Sequence, residues 1–290
     1  MKFSKMHGIG NDYVYVDTAR ERINDPAALA REMSPRHTGI GADGLILVTP
    51  PSKAGGAHVG MRMFNADGSE SEMCGNGVRC VTKFAVDRGI ARENPLRVET
   101  GRGTLEMKWT AGADGRVSLV EVDMGAPTEG ATRVPWPRSE WEETLGRARV
   151  HVDPRWIELA GVESPAWVVS MGNPHIVFWV KAVDQVPLAT VGGAVERHPR
   201  FPSRINVHFV EVLSPCEVRM RTWERGSGIT QACGTGASAV CAVGAADGRL
   251  TPSVLAHLPG GDLSLRLDEK TRHVHMTGPA THVFDGEWPS

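Results

Sequence analysis

The chain has 290 residues, 41% of them hydrophobic and 23% charged, with a formal net charge of −2. That length exceeds one ordinary domain and predicts two, and the near-balanced charge argues against nucleic acid or an anionic membrane surface as a partner. No apolar run approaches the roughly 18 residues of a membrane span, and Met1 to Gly8 lacks the apolar core of a signal peptide, which predicts a cytoplasmic location.

In chain order, Tyr13 to Val16 is a β-branched and aromatic run that reads as a strand. Gly39-Ile40-Gly41-Ala42-Asp43-Gly44 satisfies G-x-G-x-x-G, but strand-like Leu45 to Val48 follows it where a dinucleotide site needs a helix. Cys74-Gly75-Asn76-Gly77 then opens a helix-like run, Val78 to Asp87, ending near Gly89. Leu96 to Val98 and the alternating residues 117–123 are further strand candidates. A junction falls near Met124-Gly125-Ala126-Pro127, and residues 126–150, with Pro127, Pro135 and Pro137, read as an irregular connection. Ile176 to Val180 and Val207 to Val210 are again strands. Cys233-Gly234-Thr235-Gly236 precedes a small apolar helical run, Ala237 to Ala246, which should be buried on all sides. Leu263 to Leu267 and Thr281 to Phe284 complete the set, the last a candidate to cross back to the first half. Gly234 to Ala239 fits the looser G-x-G-x-x-A, but polar Glu224 to Gln231 stands where the preceding strand should be, so the nucleotide reading fails.

The two cysteine loops belong to a longer duplication. Gly89 with Gly248 and Gly101 with Gly260 stand at the same offset as Cys74 with Cys233, and Gly10-Asn11-Asp12 with Gly172-Asn173-Pro174 at nearly the same one. Two similar halves explain this most simply. One enclosed helix among many short strands in each half predicts an α+β, barrel-like domain and not a βαβ array.

Of the five cysteines, Cys80 and Cys241 lie further along their helices facing the core, and Cys216 sits in Ser214-Pro215-Cys216-Glu217; packing accounts for these three. The odd count argues against a disulfide framework, and the spacings contain no structural zinc pattern. Cys74 and Cys233 could likewise be small buried hydrophobes. Their position argues otherwise, because each precedes a helix start whose N–H groups and positive dipole end stabilise a thiolate. The glycines let a substrate carboxylate approach the N–H groups of Gly75, Asn76, Gly234 and Thr235. Asn11 matches Asn173, and Asn65 matches Glu224, a pattern that offers a polar cage; a single such asparagine would ordinarily be a turn residue. Arg225 is either a surface arginine or a bidentate grip on a second carboxylate. His175 is either a satisfied core histidine or a group that influences a cysteine.

His7-Gly8-Ile9-Gly10-Asn11-Asp12, Phe64-Asn65-Ala66-Asp67-Gly68-Ser69, Cys74 to Cys80, Gly172-Asn173-Pro174-His175, Arg204-Ile205-Asn206, Glu224-Arg225-Gly226 and Ala232 to Gly236, in this order, resemble the diaminopimelate epimerase family over nearly the whole chain. The resemblance implies two pseudo-symmetric α/β domains, each a mostly antiparallel sheet wrapped around a central helix, with a site in the cleft between them. The halves would be 1–124 with 278–290, carrying Cys74, and 125–277, carrying Cys233. It implies interconversion of LL- and meso-diaminopimelate in lysine and cell-wall precursor synthesis, without cofactor or metal, by a homodimer. Cys74 and Cys233 would be the thiolate and thiol. Asn11, Asn65, Asn173, Asn206, Glu224 and Arg225 would bind substrate, and His175 and Glu224 would tune the thiols. One departure is visible: some members carry glutamine where Gly44 follows Asp43 here. A proline or hydroxyproline racemase would use the same cysteine pair without a second carboxylate grip. A thiol redox switch or a non-catalytic amino-acid-binding module is the alternative from another class.

Overall fold

The computed structural model describes residues 1–52, 56–72, 74–128, 141–144, 147–150, 154–163 and 165–289. The chain divides into two compact units, Met1–Asp123 with Thr277–Ser290, and Met124–Met276. In the first, β1 (Lys2–Gly8), β2 (Asn11–Asp17), α1 (Pro26–Met33), β3 (Gly44–Thr49), β4 (Val59–Asn65), β5 (Glu70–Ser71), α2 (Gly75–Asp87), β6 (Leu96–Thr100), β7 (Gly103–Ala111) and β8 (Val117–Asp123) follow in order. The second holds β9 (Trp141–Thr144), β10 (Arg147–Val150), α3 (Pro154–Ala160), β11 (Ala166–Ser170), β12 (Pro174–Val180), α4 (Leu188–Glu196), β13 (Asn206–Ser214), β14 (Glu217–Glu224), β15 (Gly228–Thr230), α5 (Gly234–Ala246), β16 (Ser253–Leu258) and β17 (Gly261–Leu267). Within β18 (Val274–Pro279) the chain returns to the first unit, where β19 (Thr281–Glu287) pairs antiparallel with β1.

The strands of the two units have the same connectivity. In the first, β1–β2 is antiparallel, β2–β3 parallel, β3–β4 antiparallel, β4–β6 parallel and β6–β7 antiparallel. In the second, β11–β12, β12–β13, β13–β14, β14–β16 and β16–β17 repeat that order of senses. The short β5 and β15 pair with β4 and β14. A helix occupies the matching crossover in each, α1 between β2 and β3, and α4 between β12 and β13.

The central helices lie inside these sheets. α2 touches β1, β2, β3, β4, β6, β7 and β8, and every residue from Gly75 to Ala85 is buried. α5 touches β11, β12, β13, β16 and β17 and is similarly buried. Strands covered on both faces read as continuous apolar runs. Val14, Val16, Leu45 and Leu47 join the cluster under α1 on one face, while Ile46 between them packs on α2. In the second unit Ile176, Phe178, Val207 and Phe209 pack with Trp156, Val191 and Val195 in the same way.

The helices begin directly after the two cysteines, three residues earlier than the apolar pattern suggested. Gly77 and Gly236 allow this. A Cβ on Gly77 would lie 2.7 Å from Ile46 Cδ1, and one on Gly236 would lie 2.2 Å from His208 Cε1. The first helical turn therefore rests directly on β3 or β13. Gly89 and Gly248, at φ 69° and 71°, end the same helices in the left-handed conformation.

The irregular connection expected over 126–150 needs correction where it can be seen. Residues 129–140, 145 and 146 lie outside the described residues, but β9 and β10 pair antiparallel, and β10 continues onto β11. Pro127, Pro135 and Pro137 all precede these two strands and so do not interrupt their pairing. Among the described residues no helix is long and apolar enough to cross a membrane.

Ile46→Ala, which empties a fully buried position against α2, should lower stability by about 2–5 kcal/mol. Asp25→Ala removes the N-cap that accepts from Ala28 N at 2.9 Å and should cost about 1 kcal/mol. Urea unfolding distinguishes the two.

Candidate active site

In the first unit, Cys74 is the N-cap of α2 in extended conformation, and its Sγ accepts from Gly77 N at 3.5 Å. The thiol also lies 3.3 Å from Asn11 Oδ1, which accepts from Asn76 Nδ2 at 3.3 Å as well. Asn11 stands at the start of β2, and its amide is oriented by Asp43, whose Oδ2 accepts from Asn11 Nδ2 at 2.7 Å and from Asp12 N at 3.1 Å. Arg36 closes the arrangement with ion pairs to Asp12 at 2.7 Å and Asp43 at 3.0 Å, and Lys5 pairs with Asp12. Against the cost of burial, hydrogen bonds from Arg36 and Lys5 hold Asp12 below the usual carboxylate range. Burial, and then the Asp12 charge, push Asp43 up. Burial, with Cys74 beside it, likewise raises the Tyr13 phenol.

Gly44 pairs with Asn65 across β3 and β4. A Cβ there would lie 2.1 Å from Phe64 O, so this backbone has no room for a side chain at position 44. Asn65 itself is turned to its own hairpin, with Nδ2 3.0 Å from Ser69 Oγ.

In the second unit, Cys233 is the N-cap of α5 and its Sγ lies 3.6 Å from Thr235 Oγ1. Thr235 Oγ1 accepts from Asn173 Nδ2 at 3.4 Å, and Asn173 Oδ1 meets His175 Nε2 at 2.8 Å. His175 Nδ1 is 2.9 Å from His208 Nε2, and His208 Nδ1 is 2.9 Å from Thr222 Oγ1. Both imidazoles are fully buried. Burial pushes His208 down to about 3, and burial with the neighbouring His208 and Arg225 pushes His175 well below its ordinary value. The two rings are neutral at physiological pH.

Asn206, paired in register with His175, donates to Pro174 O at 2.9 Å and accepts from Arg225 N at 3.0 Å. Arg225 Nη1 donates to Ser203 O at 3.1 Å, and Glu224 Oε1 accepts from Thr230 Oγ1 at 2.5 Å. Thus Asn11 and Asn76 gather at Cys74, Asn173, His175 and Thr235 at Cys233, and Asn206 at Arg225, while Glu224 and Asn65 are held within their hairpins.

Sequence reasoning missed Glu196. It is buried at the end of α4 and accepts from Trp223 Nε1 at 2.8 Å and from Gly226 N at 2.9 Å, fixing the turn that carries Glu224 and Arg225. Arg204 adds a looser ion pair at 3.5 Å. A glutamate ending a helix gives no sequence sign of this role. Asp43 and Arg36, in the loop behind Asn11, were missed as well. Among the described residues no group of three His, Cys, Asp or Glu side chains is placed to hold a metal ion.

Comparison with known proteins decides the family. The family model described as diaminopimelate epimerase matches residues 3–129 and 167–283. The chain belongs to the diaminopimelate epimerase family. A diaminopimelate epimerase of Acetivibrio thermocellus is 45% identical over 287 residues, covering 99% of this chain and 98% of the relative. One from Desulfovibrio desulfuricans is 46% identical over 289 residues, covering 99% and 98%. The mixed, sheet-dominated fold recurs more widely. A phenazine biosynthesis protein of the PhzF family from Bacillus anthracis superposes with TM-score 0.70 at 16% identity, covering 100% of this chain and 99% of that one. A hydroxyproline epimerase from Agrobacterium vitis, with bound trans-4-hydroxy-L-proline, gives 0.64 at 19% identity, covering 99% and 90%. These two likenesses speak for the fold alone. Membership in an isomerase family agrees with the resemblance read from the motifs.

Glu196→Ala should lower stability by about 1–3 kcal/mol by stranding the Trp223 and Gly226 donors, read from denaturant midpoints. A second expectation concerns acid. The folded pKa values of His175 and His208 lie below the ordinary 6.5, so the unfolded chain binds more protons once pH drops below that value. Stability should therefore be full above about pH 6.5 and fall towards pH 5. His208→Phe, which cannot titrate, should flatten the slope, and a wild-type midpoint independent of pH over this range would contradict the assignment.

Proposed function

We propose that the chain interconverts LL- and meso-diaminopimelate without a cofactor, with Cys74 and Cys233 as a two-base pair. The observation that carries this reading is that, in a chain of this family, the two matched cysteines cap the two enclosed helices. An amino-acid α-proton is very weakly acidic, so a base alone does not suffice and developing carbanion charge must meet fixed donors. One thiolate removes the α-proton, and the other cysteine, as thiol, returns a proton to the opposite face. The roles exchange in the reverse direction. First-turn N–H groups of Gly75, Asn76, Gly234 and Thr235 would hold the reacting carboxylate, since a helix start offers donors that its own backbone does not use.

Asn11, Asn65, Asn173, Asn206 and Glu224 would bind the remainder of the substrate, and Arg225 its distal carboxylate. A guanidinium grips a carboxylate through two hydrogen bonds, and Glu196 and Asn206 hold the turn that presents it. A proline racemase would have no use for this second grip. The same reading puts the protein in lysine and peptidoglycan precursor synthesis in the cytoplasm, as a homodimer.

Cys74→Ala and Cys233→Ala should each reduce epimerisation by at least about 10³-fold, given the usual weight of a general acid or base. Wild-type protein with LL-diaminopimelate in heavy water should form meso product carrying α-deuterium. Turnover of proline in place of diaminopimelate, or near-wild-type turnover by either variant, would overturn the proposal.

A further inference from the structure

The second unit contains a continuous line of polar groups ending at Cys233, and one member fixes its direction. Asn173 presents its carbonyl oxygen to His175 and its NH2 to Thr235. An amide oxygen only accepts, so His175 must carry its proton on Nε2. The ring is neutral, so its Nδ1 is bare and accepts, which requires His208 to donate from Nε2. His208 Nδ1 is then bare in turn and accepts the hydroxyl hydrogen of Thr222. At the other end, Thr235 accepts from Asn173 and is free to turn its hydroxyl hydrogen towards the Cys233 sulfur, 3.6 Å away. Every bond in the line points the same way. Aligned bonds polarise one another, and a line delivering hydrogen to sulfur favours the anion.

The matching place in the first unit is built differently. There Asn11 must give its NH2 to the Asp43 carboxylate, which leaves its carbonyl oxygen facing Cys74. That oxygen accepts from S–H, while Gly77 N donates to the sulfur at 3.5 Å and the Tyr13 phenol lies beside it. The contrast extends below the helices. The register that pairs His208 with Thr222 pairs Ile46 with Met63, so apolar side chains stand there in the first unit, although Tyr13, at the place of His175, carries its phenol beside Cys74 and Asn11. His208 lies against Gly236 as Ile46 lies against Gly77.

We propose that Thr222 and His208 are positioning residues that stabilise Cys233 as a thiolate through this line. This deepens the two-thiol reading and rests on it for its catalytic meaning.

Three measurements on the full chain test it. Imidazole nitrogen NMR shifts should show both His175 and His208 protonated on Nε2 with bare Nδ1; an Nδ1-protonated form of either ring overturns the proposal. Ultraviolet thiolate absorbance at neutral pH should fall in Cys233→Ser, and an unchanged absorbance there overturns it. Thr222→Val, nearly the same shape, should retain the fold yet lower the thiolate-to-thiol ratio of Cys233 about tenfold, the effect of one unit of ionisation midpoint. Thr222→Ser should restore it. Unchanged thiolate in a folded Thr222→Val variant overturns the role of the line. None of these readouts requires turnover, so a chain that fails to epimerise diaminopimelate while meeting all three would refute the substrate reading and leave this one standing.

Discussion

A helix enclosed by a sheet still begins with N–H groups that its own backbone cannot satisfy. Everything distinctive about this chain follows from how the two enclosed helices meet that constraint. Each starts at a cysteine in extended conformation and presses its first turn onto a central strand through a glycine. The close approach fixes the helix end to within the tolerance of a packed core, which is what positions a cysteine sulfur and a set of amide donors together. A more flexible loop would offer the same atoms without the same precision.

Around this shared frame the two units differ in what they bury. Asp12, Asp43 and Arg36 form an ionic bracket behind Asn11, whereas neutral imidazoles stand behind Asn173. An ionic bracket settles an amide by charge, and an imidazole pair settles it by tautomer. The same order of strands thus gives the two cysteines different surroundings. Glu196 adds a further asymmetry, because it braces the turn bearing Arg225 from a helix that has no catalytic motif of its own.

Much of this was legible from the sequence because the repeat preserves its punctuation: Cys74 and Cys233, and the helix-ending Gly89 and Gly248. The enclosed helices and the strands at Tyr13, Leu45, Ile176 and Val207 follow from composition and spacing. The helix α4 did not, since Gly192 and Gly193 are poor helix formers. Packing overrides them, with the Trp223 Cβ 2.6 Å from where a Gly192 side chain would start. The helix α1 did carry its mark, Asp25 followed by Pro26, in the N-cap and N1 positions. His208 was hidden for a different reason. In Val207-His208-Phe209-Val210 it reads as one polar residue in an apolar strand, and only the register against Thr222 and the neighbour in β12 reveal its partners.

The first unit is discontinuous, and its β1 pairs with β19 from the far end of the chain. The second is a single stretch, Met124–Met276. During synthesis the second unit can therefore complete its sheet while the first still lacks a strand. The Lys2↔Glu287 and His7↔Thr281 pairings are contacts of very high sequence separation, the kind that slow folding because loop closure precedes the energetic return. The half bearing Cys74 therefore cannot complete its sheet until β19 has been made.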